Sequence, residues 1–332
     1  MVRSVLLAGV VVLLFAVVPG IAKPRPVIFD TDICDDIDDT WALGLLLKCP
    51  ELETKLVVTE VGNTEAKARV VAKYLDKVDR TEIPVGIGVK QHDKQHRQTP
   101  WADDYDLSSY PGTIHEDGVQ AMIDLIMNSP QRVTVIAVGP VPNIGAALKR
   151  EPRIARKADF IGMHGSVYKG YGGGSRPSPE YNVRADVPAC RAAFTAPWDV
   201  VITPLDTCGL VHLRGDKYQK VLKCNSPITS NLIQNYRVWY RRGLRSQDKN
   251  ISDAELDRRV EEKIYSSSTT LFDTVAIYLA ISHDLTKMKR LPIQITDEGH
   301  TKVAEGAKMI NCAIDWKDLG AYEDWLVDRL TK

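Results

Sequence analysis

"VIFDTDICDDIDDTWAL", residues 27–43, sets six aspartates within ten positions between two apolar runs. Val27 to Asp30 is a short continuous apolar run suited to a buried strand, whereas "DDTWALGLLLK" (38–48) carries helical spacing. The aspartates therefore occupy a strand-to-helix turn. Asp38 and Asp39 fall at the helix start, where the helix dipole favours negative charge by about 0.3–1 kcal/mol each. That leaves Asp30, Asp32, Asp35 and Asp36 crowded beside them without an explanation.

Working outward, further runs of the same kind recur at 56–61, 84–88 ("PVGIG"), 133–139 ("VTVIAVG"), 159–165 ("DFIGMHG") and 199–206 ("DVVITPLD"), with helical stretches between them. Continuous apolar runs of this length read as strands covered on both faces, so a mostly parallel sheet flanked by helices is expected. Ligands in such sheets gather beyond the carboxyl ends of the strands, which is where the acidic turn lies. Between about 210 and 285 the pattern is helix after helix. After Pro292, "IQITDEG" and "HTKVAEGAKMINCAIDW" read as strands of a C-terminal hairpin, and a closing helix is expected near 317–331. The basic cluster "YRRGLR" (240–245) reads as a solvated helix face, and "GYGGGSRPSP" (170–179) as a loop rather than a phosphate cradle. No linker or repeat divides the chain, so residues 23–332 are expected to form a single α/β domain.

The chain has 332 residues, with Lys plus Arg and Asp plus Glu balanced at 43 each, so it presents no strong overall field for nucleic acid or anionic membrane. A compact small-molecule partner fits better. Residues 1–22 hold one Arg, an apolar run from Val5 to Val18, and then Pro19, Gly20 and Ala22. That pattern predicts a signal peptide cut near Ala22, with an uncleaved anchor as the alternative, and a secreted or periplasmic product that is free of the membrane once cut. The six cysteines show no metal-type spacing, and their pairing is open.

A hard divalent cation would account for the surplus carboxylates, since Ca²⁺ takes about six to eight oxygen ligands. An EF-hand does not fit. Counted from Asp30, its fifth, sixth and twelfth positions are Cys34, Asp35 and Trp41, where an oxygen ligand, Gly and Glu are needed. A haloacid-dehalogenase type phosphatase also opens on strand-Asp-x-Asp, but Cys34 replaces its usual Thr or Val and no partner lysine is evident.

The acidic segment resembles the N-terminal signature of the inosine-uridine preferring nucleoside hydrolases, in a variant form, DxDxxDDxDD. Further blocks agree in order: "VGN" (61–63), "VTVIAVGPVPNIGAAL" (133–148), "MHGSVYKG" (163–170), "EYNVRADVPA" (180–189) and "LFDTVAIYLA" (271–280). The resemblance implies an N-ribohydrolase that splits ribonucleosides into ribose and free base with a Ca²⁺-bound water, in the service of nucleoside salvage, and one that commonly works as a dimer or tetramer. It implies Asp32, Asp39, the Val138 carbonyl and Asp273 as metal ligands, with Asp32 also the general base. Ribose contacts would come from Asp38, Asn63, Glu180 and Asn182. The variant turn is two residues longer than the common form, so Asp36 could stand where Asp38 or Asp39 is placed. Helix capping by Asp273 and ordinary turn roles for Asn63 and Asn182 stay open as bland readings.

Two positions depart from the family pattern. An Asn that would hold the 5′-hydroxyl falls near Gly174, and Phe272 stands where some members carry a His thought to protonate the leaving base. His164, His283, Tyr168 and Tyr171 are then unranked candidates for leaving-group activation. The alternatives to hydrolysis are a ribose- or nucleoside-binding protein with weak or lost catalysis, and a hydrolase of another ribosyl or small glycosyl substrate.

Overall fold

The computed structural model describes residues 23–332; the expected leader, 1–22, lies outside the described residues. The first half alternates strand and helix: β1 (Arg25–Thr31), α1 (Asp38–Leu47), β2 (Leu52–Thr59), α2 (Thr64–Lys77), β3 (Val85–Ile87), β4 (Ile114–His115), α3 (Gly118–Asn128), β5 (Val133–Ala137) and α4 (Pro142–Arg150). It continues through β6 (Ala158–Met163), the short α5 (Tyr181–Ala185), α6 (Val187–Thr195) and β7 (Val200–Thr203). A helical stretch follows: α7 (Gly215–Lys223), α8 (Pro227–Gln247), α9 (Asp253–Ser266) and α10 (Thr274–Leu279). The chain ends with β8 (Thr286–Ile295), β9 (Thr301–Val303), β10 (Met309–Trp316) and α11 (Leu319–Thr331).

All ten strands join one sheet in the order β4-β3-β2-β1-β5-β6-β7-β10-β8-β9. From β4 to β10 the neighbours are parallel; β8 and β9 add to the edge antiparallel. The apolar runs became strands because both faces are covered. Val27 and Phe29 enter one buried cluster, with α1, α2 and α8, while Ile28 enters the other, with α3, α4 and α6. Among the described residues no helix is long and apolar enough to cross a membrane.

The C-terminal expectation needs correction. β8 starts at Thr286, earlier than expected, and β10 does not simply fold back on it as a hairpin: it slots between β7 and β8, with β9 on the outer side of β8. Lys287, Lys289 and Arg290 hid the start of β8: β9 pairs only with Ile293–Ile295, so the first part of β8 keeps an open outer edge, where charge is tolerated.

Strand order reverses at β1, whose neighbours β2 and β5 both follow it in sequence, so the crevice between the ends of β1 and β5 is the topological switch point. Three non-glycine residues in loops following parallel strands hold a left-handed backbone: Cys34 (φ 85°) after β1, Val61 (φ 62°) after β2 and Val141 (φ 62°) after β5. Each costs on the order of 1–3 kcal/mol, and the packing around them supplies the restraint.

Candidate active site

Over that crevice opens a cavity of about 510 Å³. Asp32, Asp35, Asp36, Asp38 and Asp39 line it from the acidic turn, Val138 from the end of β5, and Glu180 and Asn182 from the start of α5. Phe272 and Asp273 enter ahead of α10, Tyr171 and Tyr181 form part of the wall, and Gln95, His96 and Arg97 reach in from the loop after β3.

The floor is a trio of buried carboxylates. One oxygen from each of Asp38, Asp39 and Asp273 lies within 4.8 Å of the others. Asp38 and Asp39 begin α1, as expected, and Asp273 precedes α10. The capping alternative for Asp273 is not what its side chain does: it makes no cap hydrogen bond and turns into the cavity. Burial first, and then the neighbouring carboxylates, push all three well above the usual carboxylate range. Thr31 donates its hydroxyl hydrogen to Asp39. Three buried carboxylates this close are stable as anions only around a cation, and an all-oxygen set is the chemistry of hard divalent ions rather than zinc. The residues present therefore fit a metal ion.

Asp32 borders the same cavity, and burial raises it to about 7 although the Lys67 ammonium opposes the shift. Lys67, fully buried on α2, donates to the Asp32 carbonyl (2.7 Å), the Asp35 carboxylate (3.0 Å) and the Glu60 carbonyl (3.1 Å). Asp35 also binds Nδ1 of His96, and its carbonyl accepts from the Trp239 indole N–H (3.0 Å). Behind Asp32, Asp30 and Glu60 lie buried near each other, each with one carboxylate oxygen that has no hydrogen-bond partner. Burial raises both, Asp30 to about 6. Asn143 steadies Asp30 (2.7 Å), and Glu60 accepts the N–H of the left-handed Val141 (2.9 Å).

Glu180 and Asn182 do not share a strand face; Glu180 caps the short helix α5. Its carboxylate accepts from the backbone N–H groups of Gly165 (3.0 Å), Asn182 (2.7 Å) and Val183 (3.2 Å), yet burial still raises it to about 7. The Asn182 amide donates to the carbonyls of Val138 (2.9 Å) and Met163 (3.0 Å), leaving its oxygen for a ligand. Asp36 lies in the wall and accepts from the Ile37 N–H (2.6 Å), outside the trio.

Asn63 is not brought to this cavity. Its side chain caps α2 through the Ala66 N–H (3.1 Å) and borders a separate hollow with Glu65 and Arg69. His96 lines the cavity beside it, with Nε2 taking the Asn63 N–H (3.1 Å). Gly174 does not line the cavity either. Of the leaving-group candidates only Tyr171 does. His164 is fully buried, lowered to about 4 by that burial, with Nε2–H on the Gly139 carbonyl (2.9 Å). His283 bonds the Leu279 carbonyl (3.1 Å), and Tyr168 faces Lys289.

Sequence reasoning missed Lys67, Glu60, His96 and Arg97. Only Lys67 left a signal: with Val71 and Leu75 it falls on the buried stripe of α2, where a lone lysine needs a carboxylate partner. All six cysteines are unpaired, and all but Cys224 are buried.

Fold and site together define an α/β protein with a buried carboxylate centre able to hold a metal ion. Residues 27–320 match the family model described as inosine-uridine preferring nucleoside hydrolase. The chain belongs to that family, whose enzymes are N-ribohydrolases acting on ribonucleosides. It is 32% identical over 202 residues to an inosine-uridine preferring nucleoside hydrolase of Leishmania major, a match covering 55% of this chain and 61% of that protein, less than two thirds of its length. It is 26% identical over 232 residues to the pyrimidine-specific ribonucleoside hydrolase RihA of Photobacterium profundum, covering 65% and 73%. Among solved structures, the plant nucleoside hydrolase PpNRh1 superposes with a TM-score of 0.75 at 20% identity, over 93% of this chain and 99% of that one.

Proposed function

We propose that this chain is an exported, single-domain N-ribohydrolase that uses Ca²⁺ and water to split a ribonucleoside into ribose and free base. The observation that carries the reading is the carboxylate trio of Asp38, Asp39 and Asp273 on the floor of an acid-lined cavity, with Asp32 and the end of β5 beside it. Asp39, Asp273, Asp32 and the Val138 carbonyl would hold the ion, and Asp38 is close enough to join them or to take a ribose hydroxyl. Bound there, Ca²⁺ would polarise the attacking water and offset the crowded charge.

Asp32 is the base that takes the water's proton as its oxygen approaches C1′; its carboxylate lines the cavity beside the trio, where the attacking water would stand. Glu180 and Asn182 face the sugar from α5. Glu180 is immobilised by three backbone N–H groups and Asn182 by two carbonyls, so both hold hydroxyls without reorganising as the ring flattens towards an oxocarbenium-like state.

The test is release of reducing sugar from a panel of purine and pyrimidine nucleosides, after chelation and after Ca²⁺ is restored. Release that follows Ca²⁺ is the expected result; none from any nucleoside with Ca²⁺ present overturns the reading. Phe272 in the cavity wall favours one second reading, a nucleoside-binding protein with little catalysis, which calorimetry would show as binding without turnover. Export is checked by the N-terminus of the secreted product, expected just after Ala22.

A further inference from the structure

Breaking the bond from C1′ to the base leaves its electron pair on a base nitrogen, so the departing base becomes anionic unless a donor meets it. The cavity wall offers neutral donors, among them Gln95 and Tyr181, but few groups that could meet a developing anion with positive charge. Phe272 beside the trio has no polar hydrogen, and the Asn182 amide is committed to two carbonyls. Nε2 of His96 accepts the Asn63 N–H, so the ring proton sits on Nδ1 and is committed to Asp35. The Tyr171 oxygen accepts the Tyr181 N–H (2.9 Å) and keeps its hydroxyl hydrogen, while its ring stands edge-on to Phe272 (centroids 6.2 Å apart, 81° between planes); pushed up to about 12 by burial, it is a neutral donor without the positive charge that a departing anion calls for.

Arg97 is different. Its guanidinium lies over the Trp239 ring, 5.2 Å from the centroid, and Trp239 is itself pinned by its indole N–H on the Asp35 carbonyl. The geometry therefore holds the cation in place through a face contact, which uses none of its N–H groups. Among the described residues it has no hydrogen-bond or ion-pair partner, although it borders a cavity lined by seven carboxyl groups: Asp32, Asp35, Asp36, Asp38, Asp39, Glu180 and Asp273. A guanidinium stays charged at any working pH and presents a planar fork of donors.

We infer that Arg97 is the catalytic residue that meets the leaving base, donating from its guanidinium to the ring nitrogen or carbonyl oxygen on which negative charge develops. This rests on the hydrolase reading above. As the C1′–N bond breaks, its pair passes to the base, the water oxygen bonds C1′, and the water proton goes to Asp32. Arg97 keeps its protons; the base anion, held by the fork, takes its proton from solvent, and Asp32 returns its own. The sum is nucleoside plus water to ribose plus neutral base.

The test compares a nucleoside with 4-nitrophenyl β-D-ribofuranoside, whose nitrophenolate departs unaided. Arg97→Gln should lower kcat on the nucleoside by about 10²–10³-fold, as loss of one charge-stabilising donor does elsewhere, and change the nitrophenyl riboside by no more than about threefold. Arg97→Lys, which keeps charge without the fork, should recover part of the nucleoside rate. Ca²⁺ affinity measured by calorimetry should not move. Equal losses on both substrates, no loss on the nucleoside, or a loss that follows weakened Ca²⁺ binding would each overturn the assignment, the last by reducing Arg97 to a counter-charge for the acids. A wild-type chain that cleaves neither substrate overturns the hydrolase reading itself, and the role of Arg97 with it.

Discussion

Asp273→Asn should make the metal-free protein more stable and the Ca²⁺-loaded protein less so. Asn keeps the shape of the side chain and is as good as Asp at a helix N-cap, so charge is the main thing that changes. Asp273 faces two carboxylates within 4.8 Å. At that separation two full charges repel by about 3–4 kcal/mol at an effective dielectric of about 20. The metal-free protein escapes most of this by retaining protons, as the raised pKa values of the trio require. The gain left for the variant near pH 8 is then about 1–3 kcal/mol, or about 2–10 °C in Tm for a chain of this size. With Ca²⁺ at about 100 times its Kd, the wild type gains about 2.7 kcal/mol, which the variant forfeits with the ligand. The sign with pH follows from the raised values. A carboxyl whose folded pKa lies above its unfolded one contributes stability fully below the unfolded pKa and loses it as pH rises through the folded pKa. For Asp32 and Glu180 that window runs from about 4 to about 7, so the metal-free Tm should fall across it and Ca²⁺ should reverse the fall. Calorimetric melts in chelator and in Ca²⁺ at several pH values read all of this. A variant that melts below wild type in chelator near neutral pH, or one that Ca²⁺ stabilises as strongly as wild type, would refute the account of the trio.

Asp32→Asn should lower turnover by about 10²–10⁴-fold while leaving nucleoside binding measurable by calorimetry; a near-normal rate would remove Asp32 from the role of base. Asn63→Ala should cost about 1 kcal/mol in urea unfolding through loss of the α2 cap, with kcat/KM almost unchanged, whereas a large rise in KM would put Asn63 at the ribose after all. Lys67→Met should cost about 3–5 kcal/mol, because the half-buried Asp35 and the carbonyls of Asp32 and Glu60 lose a common donor; unfolding at wild-type denaturant concentration would show that this cluster carries no stability.

What the sequence made legible followed from periodicity and local charge. The runs at 27, 56, 133, 159 and 199 read as central strands because apolar residues cover both faces, and Asp38 and Asp39 read as the start of a helix because charge meets apolar spacing there. The edge was harder. β8 mixes Lys and Arg with Leu and Ile, and the two-residue β4 has too little sequence to carry a pattern. At the site, Asp32, Asp38, Asp39, Glu180, Asn182 and Asp273 do meet around one cavity, from three separate parts of the chain. Asn63 does not, because the neighbouring loop inserts His96 against Gly62 and Asn63, a tertiary contact more than 30 residues long that nothing local encodes. Nor could the commitment of both His96 nitrogens, or of the Asn182 amide, be read before their partners were in view.

The acidic turn also braces the walls of the cavity. Asp35 takes Lys67 from α2 and His96 from the loop after β3, while its carbonyl takes Trp239 from α8. Trp239 in turn carries Arg97. Asp35 thus ties three separate elements to the end of β1 and, through Trp239, steadies Arg97, among the described residues the one guanidinium that lines the cavity. Asp30 is spent on Asn143, behind the wall, and Asp36 on its own turn. Six aspartates are tolerated in ten positions because they are not six copies of one charge. Two belong to the trio, one stands beside it as base, one is held by Asn143 behind the wall, one closes the turn, and one is paired with the Lys67 ammonium of the scaffold. Repulsion that would unfold a uniform acidic loop is divided among different partners, and what remains unneutralised is confined to the floor, where a divalent ion is required.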